Sequence, residues 1–169
     1  VIEPGGMITT SIPYPVIVKP VHEDGCVGIS VDSKVNCQEQ LEKQVNRIHA
    51  VYSQSALVEE FIEGRDVTAS ILGNGTDTRL LPLTEIIYSD MDGPGHLTFD
   101  ANWVAGSTEY EDSHSSVVNH LEASLLRSIK YSALAAYRAL GCRDYARIDF
   151  RVKGNTPYVL EVNPNPCIN

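Results

Sequence analysis

Asp149, Glu161 and Asn163 carry the clearest chemical signal in the chain. They lie on two apolar runs, residues 146–152 and 157–162, that flank Lys153-Gly-Asn-Thr156 and read as a β-hairpin. Strands paired about that turn bring both carboxylates and the amide to one face. Oxygen donors of these three types suit magnesium held jointly with phosphate oxygens. Arg147 stands two residues before Asp149 and shares its side of the strand. An arginine beside a carboxylate cluster can contact a transferring phosphoryl group. The same residues would also make a salt-bridged surface hairpin. Against that stands the polar, proline-locked run Glu161-Val-Asn163-Pro-Asn165-Pro, which ends an apolar strand.

Lys19 interrupts the apolar run Val16-Ile-Val18 and is followed by Pro20 and a loop holding Gly25 and Gly28. A lysine there can reach phosphate as a point charge, with backbone N–H groups near the glycines as a cradle. Standing alone, it would equally be a solvated edge-strand lysine. Glu59 and Glu60 are adjacent on one strand and point to opposite faces, so one can face a cleft and the other solvent. Asp66, beyond the turn at Gly64, offers a carboxylate suited to a ribose hydroxyl pair. Solvated acids are the default for each.

The elements that must position these groups follow from periodicity. Residues 14–20 and 57–62 read as strands, and residues 27–31 as the returning strand of a hairpin. Leu41, Val45 and Ile48 mark a helix over 33–51. Residues 66–72 alternate apolar and polar, as a half-buried strand does, and 80–88 form another strand. Residues 89–116 form a long stretch without a clear element, as functional loops do. Val118, Leu121, Leu125, Ile129, Ala133, Ala136 and Leu140 mark a helix over 117–140, capped by Gly141. The order is mixed α+β, for which we expect two lobes with a cleft between them. The expected division is a lead segment 1–13, a smaller lobe 14–62 and a larger lobe 63–169 with the metal and phosphate motif.

With 43% hydrophobic residues, the 169-residue chain can build a core. A net charge of -9 argues against nucleic acid as partner but not against a nucleotide, whose phosphates need only local positive charge. No run is long enough to span a membrane, and there is no signal peptide. Cys26, Cys37, Cys142 and Cys167 form no CxxC pair and fit reduced thiols, which points to the cytoplasm. Neither a glycine-rich dinucleotide fingerprint nor a P-loop is present. Trp103 and the tyrosines read as packing residues, since no basic residues interleave with them. The oligomeric state is left open.

Together these motifs resemble the ATP-grasp superfamily, and within it the D-alanine–D-alanine ligase-like branch. Val16-Ile-Val-Lys19-Pro20 resembles the strand whose lysine contacts ATP phosphates, and Glu23-Asp-Gly25-Cys26-Val27-Gly28 the loop that closes over them. Leu57-Val-Glu59-Glu60-Phe61-Ile62-Glu-Gly64-Arg-Asp66 looks like the hinge that holds adenine. The resemblance implies that the cleft between the lobes is a nucleotide cleft, in which Glu59 and the backbone near Phe61 meet the adenine edge, Ile62 packs on the ring and Asp66 reaches the ribose. It implies Arg147 as the catalytic residue, and Asp149, Glu161 and Asn163 as ligands of magnesium, one or two ions, with manganese able to substitute. The activity implied is ATP-dependent ligation of a carboxylate to an amine through an acyl-phosphate, on an amino-acid or small carboxylate substrate of the full-length parent.

The chain departs from the branch at three places. Asn102, in Phe99-Asp-Ala-Asn102-Trp103, stands where lysine supports the phosphates. Gly25-Cys26 lacks the usual serine pair, and Cys167 stands where glycine is usual. The start at Val-Ile-Glu without methionine and the stop at Asn169 lead us to expect a segment of a longer protein, inactive by itself. Two other readings stay open: a non-catalytic adenine-nucleotide-binding module, and an interaction domain with a decayed site.

Overall fold

The computed structural model describes residues 1–89 and 95–166. The chain folds as two compact units, one of residues 1–61 and 95–113, the other of the described residues within 62–94 and 114–169.

In the first unit β1 (Val16–Pro20) is the centre of a three-stranded antiparallel sheet, between β2 (Lys34–Val35) and β3 (Ala56–Glu60). Alternation decides its two faces. Val16, Val18, Val35, Ala56 and Val58 are buried against helix α1 (Gln38–Tyr52), which answers with Leu41, Val45 and Ile48. Each of these helix side chains contributes roughly 1.5–3 kcal/mol by leaving water. The helix starts five residues later than its apolar period suggests, because Lys34 and Val35 are held in the sheet opposite Ile17 and Val16.

The return strand expected at 27–31 is not there. Gly25, Cys26 and Gly28 all have positive φ and wind the loop, and the Ile29 amide donates back to the Cys26 carbonyl. A 3-10 turn at Val31–Ser33 follows, and only then does the chain pair. Gly28 is required by packing as well as by its φ of 82°, since a Cβ there would sit 2.5 Å from Pro20 Cγ.

Residues 95–113 join this first unit rather than the larger lobe expected over 63–169. They are tied to the loop after β1: the Phe99 amide donates to the Ile29 carbonyl, and the His96 ring meets the Ser30 carbonyl at 2.9 Å. Nor are they without structure. Thr98 and Ser107 cap two short helices, α2 (Phe99–Trp103) and α3 (Thr108–Glu111), each accepting from an N3 amide.

The second unit is a six-stranded sheet of β4 (Arg65–Leu72), β5 (Arg79–Leu80), β6 (Thr84–Tyr88), β7 (Ser113–Val117), β8 (Tyr145–Lys153) and β9 (Thr156–Asn163). The order is β7-β6-β4-β8-β9, with β5 also beside β4. The strand expected over 80–88 is broken around Pro82, which has no amide to give to a ladder. One face of β4 and β8, with Val67, Ala69, Ile71, Ala146, Ile148, Phe150 and Val152, packs on Leu125, Ile129, Ala133 and Tyr137 of α4 (Ala123–Ala139). That helix is shorter than the period suggested. Residues 113–117 are a strand, and the Val118 amide donates to the Leu83 carbonyl. Leu140 is 67% exposed, and the α4 position expected for Ala136 in the core is filled by Tyr137.

Candidate functional site

The pleat that buries one face of the β4–β8 ladder aims a row of polar side chains out of the other. Asp66, Thr68 and Ser70 lie directly opposite Arg151, Asp149 and Arg147. Facing residues of an antiparallel pair project to the same side, so all six share one face. On the other flank of β8, Arg147 pairs with Asn163 and Asp149 with Glu161. One sheet face therefore gathers Asp66, Arg147, Asp149, Glu161 and Asn163. Asp66 and Asp149 are separated by one strand and two residues of rise, about 7 Å along the strand.

Within this row the charges answer one another. Arg147 grips Asp149 with two parallel bonds, Nε to Oδ1 at 2.7 Å and Nη2 to Oδ2 at 2.8 Å. The Asn163 amide nitrogen donates to Asp149 Oδ2 and to Glu161 Oε1, both at 3.0 Å. Glu161 keeps solvent-facing surface, but its carboxyl end turns into the cluster. Burial of that end raises its pKa; the Asn163 amide opposes the shift, the neighbouring Asp149 adds to it, and Arg147 opposes it again. Two carboxylates held this close by one amide form a donor set that a cation would relieve. No group of three or more His, Cys, Asp or Glu side chains suited to a metal occurs among the described residues. The two carboxylates suit a hard divalent ion that takes its remaining oxygens from elsewhere, as magnesium does from phosphates, while Asn163 faces them with its amide nitrogen.

Asp66 is held from two sides. Tyr88 Oη donates to Oδ2 and the Arg151 guanidinium meets Oδ1, both at 2.6 Å. Arg151 is only 4% exposed, and its Nε donates to the Ile62 carbonyl at 2.9 Å. Sequence reasoning passed over Arg151 and Tyr88. The signal for the first was present, because Arg147, Asp149 and Arg151 continue one period of two. Gly64 between Ile62 and Asp66 is fixed by close approach: a Cβ there would lie 2.2 Å from the Val152 carbonyl oxygen. An open groove lined by Ser124, Arg127, Ser128, Tyr131, Ser132 and Pro157 lies along α4, which packs on the opposite sheet face, and holds none of these residues.

The first unit brings Lys19 and Glu59 together. They sit diagonally across β1 and β3, with Nζ to Oε2 at 2.5 Å. Glu60, one residue on, is exposed on the opposite side. The Phe61 amide is not left for a ligand, since it donates to the Pro15 carbonyl. The Phe61 ring is buried, edge-on to His96 at 5.7 Å between centroids, with Lys34 Nζ 4.4 Å from its centre. Ile62 belongs to the second unit. Gly25 meets Trp103, whose indole Nε1 donates to the Gly25 carbonyl at 2.7 Å. Trp103 packs against the glycine loop rather than in a core: it is 56% exposed and fastens Gly25. Asn102 is half-buried on α2, its amide bonded to the Thr98 carbonyl. Cys26, Cys37 and Cys142 are free thiols, and Cys167 lies outside the described residues. No helix among the described residues is long and apolar enough to cross a membrane.

Comparison with known proteins gives this geometry a lineage. The family described as "D-ala D-ala ligase C-terminus" matches residues 5–169. The chain is 36% identical over 162 residues to protein y4sG of Sinorhizobium fredii, covering 95% of this chain and 46% of that protein. It is 31% identical over 159 residues to the D-alanine–D-alanine ligase of Desulforudis audaxviator, covering 94% of this chain and 48% of that enzyme. Among solved structures, the D-alanine–D-alanine ligase of Bacillus anthracis complexed with ATP superposes with a TM-score of 0.65 at 27% identity, over 91% of this chain and 44% of that one. The chain thus spans about half the length of the relatives it matches. With its mixed α+β architecture and a match over nearly all its residues, the chain belongs to the D-alanine–D-alanine ligase C-terminal family and has the ATP-grasp ligase fold.

Proposed function

We propose that this chain is the nucleotide- and metal-binding portion of an ATP-dependent carboxylate–amine ligase. The observation that carries the reading is the single sheet face on which Asp66, Arg147, Asp149, Glu161 and Asn163 meet. Asp149 and Glu161 would hold a magnesium ion, or two, with manganese as substitute, alongside ATP, and Asn163 would join them through its amide oxygen once its nitrogen releases the carboxylates. When bound, the metal neutralises phosphate charge. Arg147 then divides its donors between Asp149 and the transferring phosphoryl group. Asp66 accepts from ribose hydroxyls, and Lys19 exchanges Glu59 for phosphate. Gly25 and Gly28 offer loop amides, and Glu59, freed from Lys19, and Ile62 serve the adenine. Because the Phe61 amide is committed to Pro15, the adenine edge falls to the neighbouring backbone. In the complete ligase a substrate carboxylate attacks the γ-phosphoryl group with ADP leaving, and an amine then displaces phosphate from the acyl-phosphate.

Asn102 favours a second reading, in which the chain binds adenine nucleotide without turnover. A neutral amide there removes the positive charge that the family resemblance places near the phosphates. A paired experiment separates the readings: Mg-ATP affinity by calorimetry, then phosphate release with and without D-alanine and a panel of amino acids. We expect the 169-residue chain to bind Mg-ATP and release no phosphate, since orientation of both substrates contributes roughly 7–11 kcal/mol to such chemistry. Amino-acid-stimulated release with detectable dipeptide would show a working ligase in this chain. A folded sample that binds no nucleotide would leave only the decayed-site reading.

A further inference from the structure

We propose that Asn74 is a spontaneous modification site, at which the Gly75 backbone nitrogen displaces the side-chain ammonia, and that Asp144 guards it in the folded chain. Asn74 is the only asparagine in the sequence that glycine follows, and both residues are exposed on the turn between β4 and β5. The step is a ring closure. The Gly75 nitrogen bonds to Asn74 Cγ and gives up its proton, the Cγ–Nδ2 bond breaks, and ammonia leaves. Water then opens the succinimide to aspartate or isoaspartate, with nothing oxidised or reduced. Glycine hinders this attack least, having no side chain beside the attacking nitrogen. The space next to it is open as well: a Cβ at Gly75 would meet no described atom within 4 Å.

The guard comes from the turn before β8. Asn74 Nδ2 donates to Asp144 Oδ1 at 2.7 Å, and the Asp144 amide donates back to Asn74 Oδ1 at 2.9 Å. Beside them the Gly73 amide donates to the Asp144 carbonyl at 2.7 Å. Asp144 makes this reciprocal pair from a left-handed backbone, with φ at 68°, a conformation that aspartate and asparagine tolerate better than most residues. Both ends of the Asn74 amide are thus held, whereas ring closure needs that amide to swing onto its own backbone. The carboxylate at Nδ2 is also an acceptor, and departing ammonia needs a proton donor there. Loss of ammonia turns the clasp against itself. A donor is replaced by a carboxylate oxygen facing Asp144 Oδ1, and like charges at that range repel. The clasp lies just beyond Leu72 and Tyr145, the last pair of the β4–β8 ladder, so the modification loosens that end of the sheet.

The test follows Asn74 by peptide mass spectrometry and an isoaspartate assay, in the 169-residue chain kept folded at mildly alkaline pH and in the same chain unfolded in urea. Folded wild type is expected to deamidate at Asn74 about tenfold more slowly than the unfolded chain, or slower still, since two hydrogen bonds must open first. Asp144→Gly keeps the left-handed backbone and removes the acceptor, so it should recover most of that factor while folded. Asp144→Asn keeps an acceptor and should stay near the wild-type rate. Asn74→Asp stands for the product. It should lower the melting temperature by about 2–4 °C in the wild-type chain and by less in Asp144→Asn, where the facing charge is gone. Should Asp144→Gly fail to fold, the two melting shifts carry the test. Folded Asp144→Gly that deamidates at the wild-type rate overturns the guard, and so do equal melting shifts in the two backgrounds. Folded wild type that deamidates as fast as the unfolded chain overturns it too. An unfolded chain that loses no ammonia at Asn74 overturns the site itself.

Discussion

Lys19 in the first unit and Asp149 in the second each meet an opposite charge, but by different routes. Lys19 reaches Glu59 diagonally between two strands, through two long side chains that are 29% and 46% exposed. Asp149 is gripped by both arms of an arginine on its own strand and by an amide from the next, and it is 18% exposed. The first pair is a contact that solvent and salt weaken, of the kind worth about 0–1 kcal/mol. The second is fixed by the pleat, the hairpin register and bidentate geometry. On the proposed function, a side chain that must leave its partner for a ligand would cost little to release, whereas a metal-binding cluster would gain from being built in advance.

The most severe way to break the comparison is to remove the scaffold behind the fixed cluster. Phe150 stands between Asp149 and Arg151 and points to the opposite face, fully buried on α4. Phe150→Ala should cost about 3–5 kcal/mol of stability and take metal-dependent nucleotide binding with it. Denaturant unfolding followed by calorimetry checks this, and a stable Phe150→Ala protein that still binds would mean the cluster does not depend on the sheet.

A smaller effect is expected inside the cluster. Glu161→Gln should lower the metal-dependent part of ATP affinity about tenfold, about 1.4 kcal/mol, without lowering the melting temperature, because one of two crowded carboxylates is removed. Titration with ATP at several magnesium concentrations reads it; an unchanged magnesium dependence refutes the assignment of Glu161 as ligand.

Lys19→Met should weaken ATP binding about fivefold to tenfold and leave adenosine binding unchanged, since a charged hydrogen bond to phosphate is worth about 1.5–3 kcal/mol before the Glu59 pair is given up. Its effect on stability should stay within about 1 kcal/mol. Equal weakening of both ligands would make Lys19 a structural residue.

The smallest effect lies at alkaline pH. Tyr137, on the buried face of α4, donates its hydroxyl to the Gly73 carbonyl, and burial holds its pKa above the ordinary 10.0. A raised folded pKa means that its stabilising contribution is complete below pH 10 and is lost as pH rises through the folded value. Tyr137→Phe should flatten that part of the stability–pH curve while costing about 0.5–1.5 kcal/mol at neutral pH for the hydrogen bond. An alkaline slope identical in both proteins would assign it to other groups.

Some of this molecule was legible from local pattern alone. The period of two over residues 66–72 and 146–152, the three-four spacing of Leu41, Val45 and Ile48, and the short polar turn at 153–156 settle element type, because burial of one face enforces them. The hairpin was legible too, but its turn alone would set Asp149 opposite Leu160; a register shift between Asp149 and Phe150 brings Glu161 opposite Asp149 instead. Register across non-adjacent strands did not follow from any local signal. That Asp66 opposes Arg151, and that Arg151 also holds Ile62, depends on β4 pairing with β8 some eighty residues away. The loop after Pro20 misled for a related reason: left-handed Gly25, Cys26 and Gly28 wind a segment whose apolar residues look like a strand. The same long-range bonds drew residues 95–113 to the first unit, through backbone groups whose partners no side-chain pattern announces. Sequence periodicity thus determined which residues share a face within an element. Tertiary pairing decided which elements share a sheet, and with it which charges meet, because backbone hydrogen bonding carries no side-chain signature.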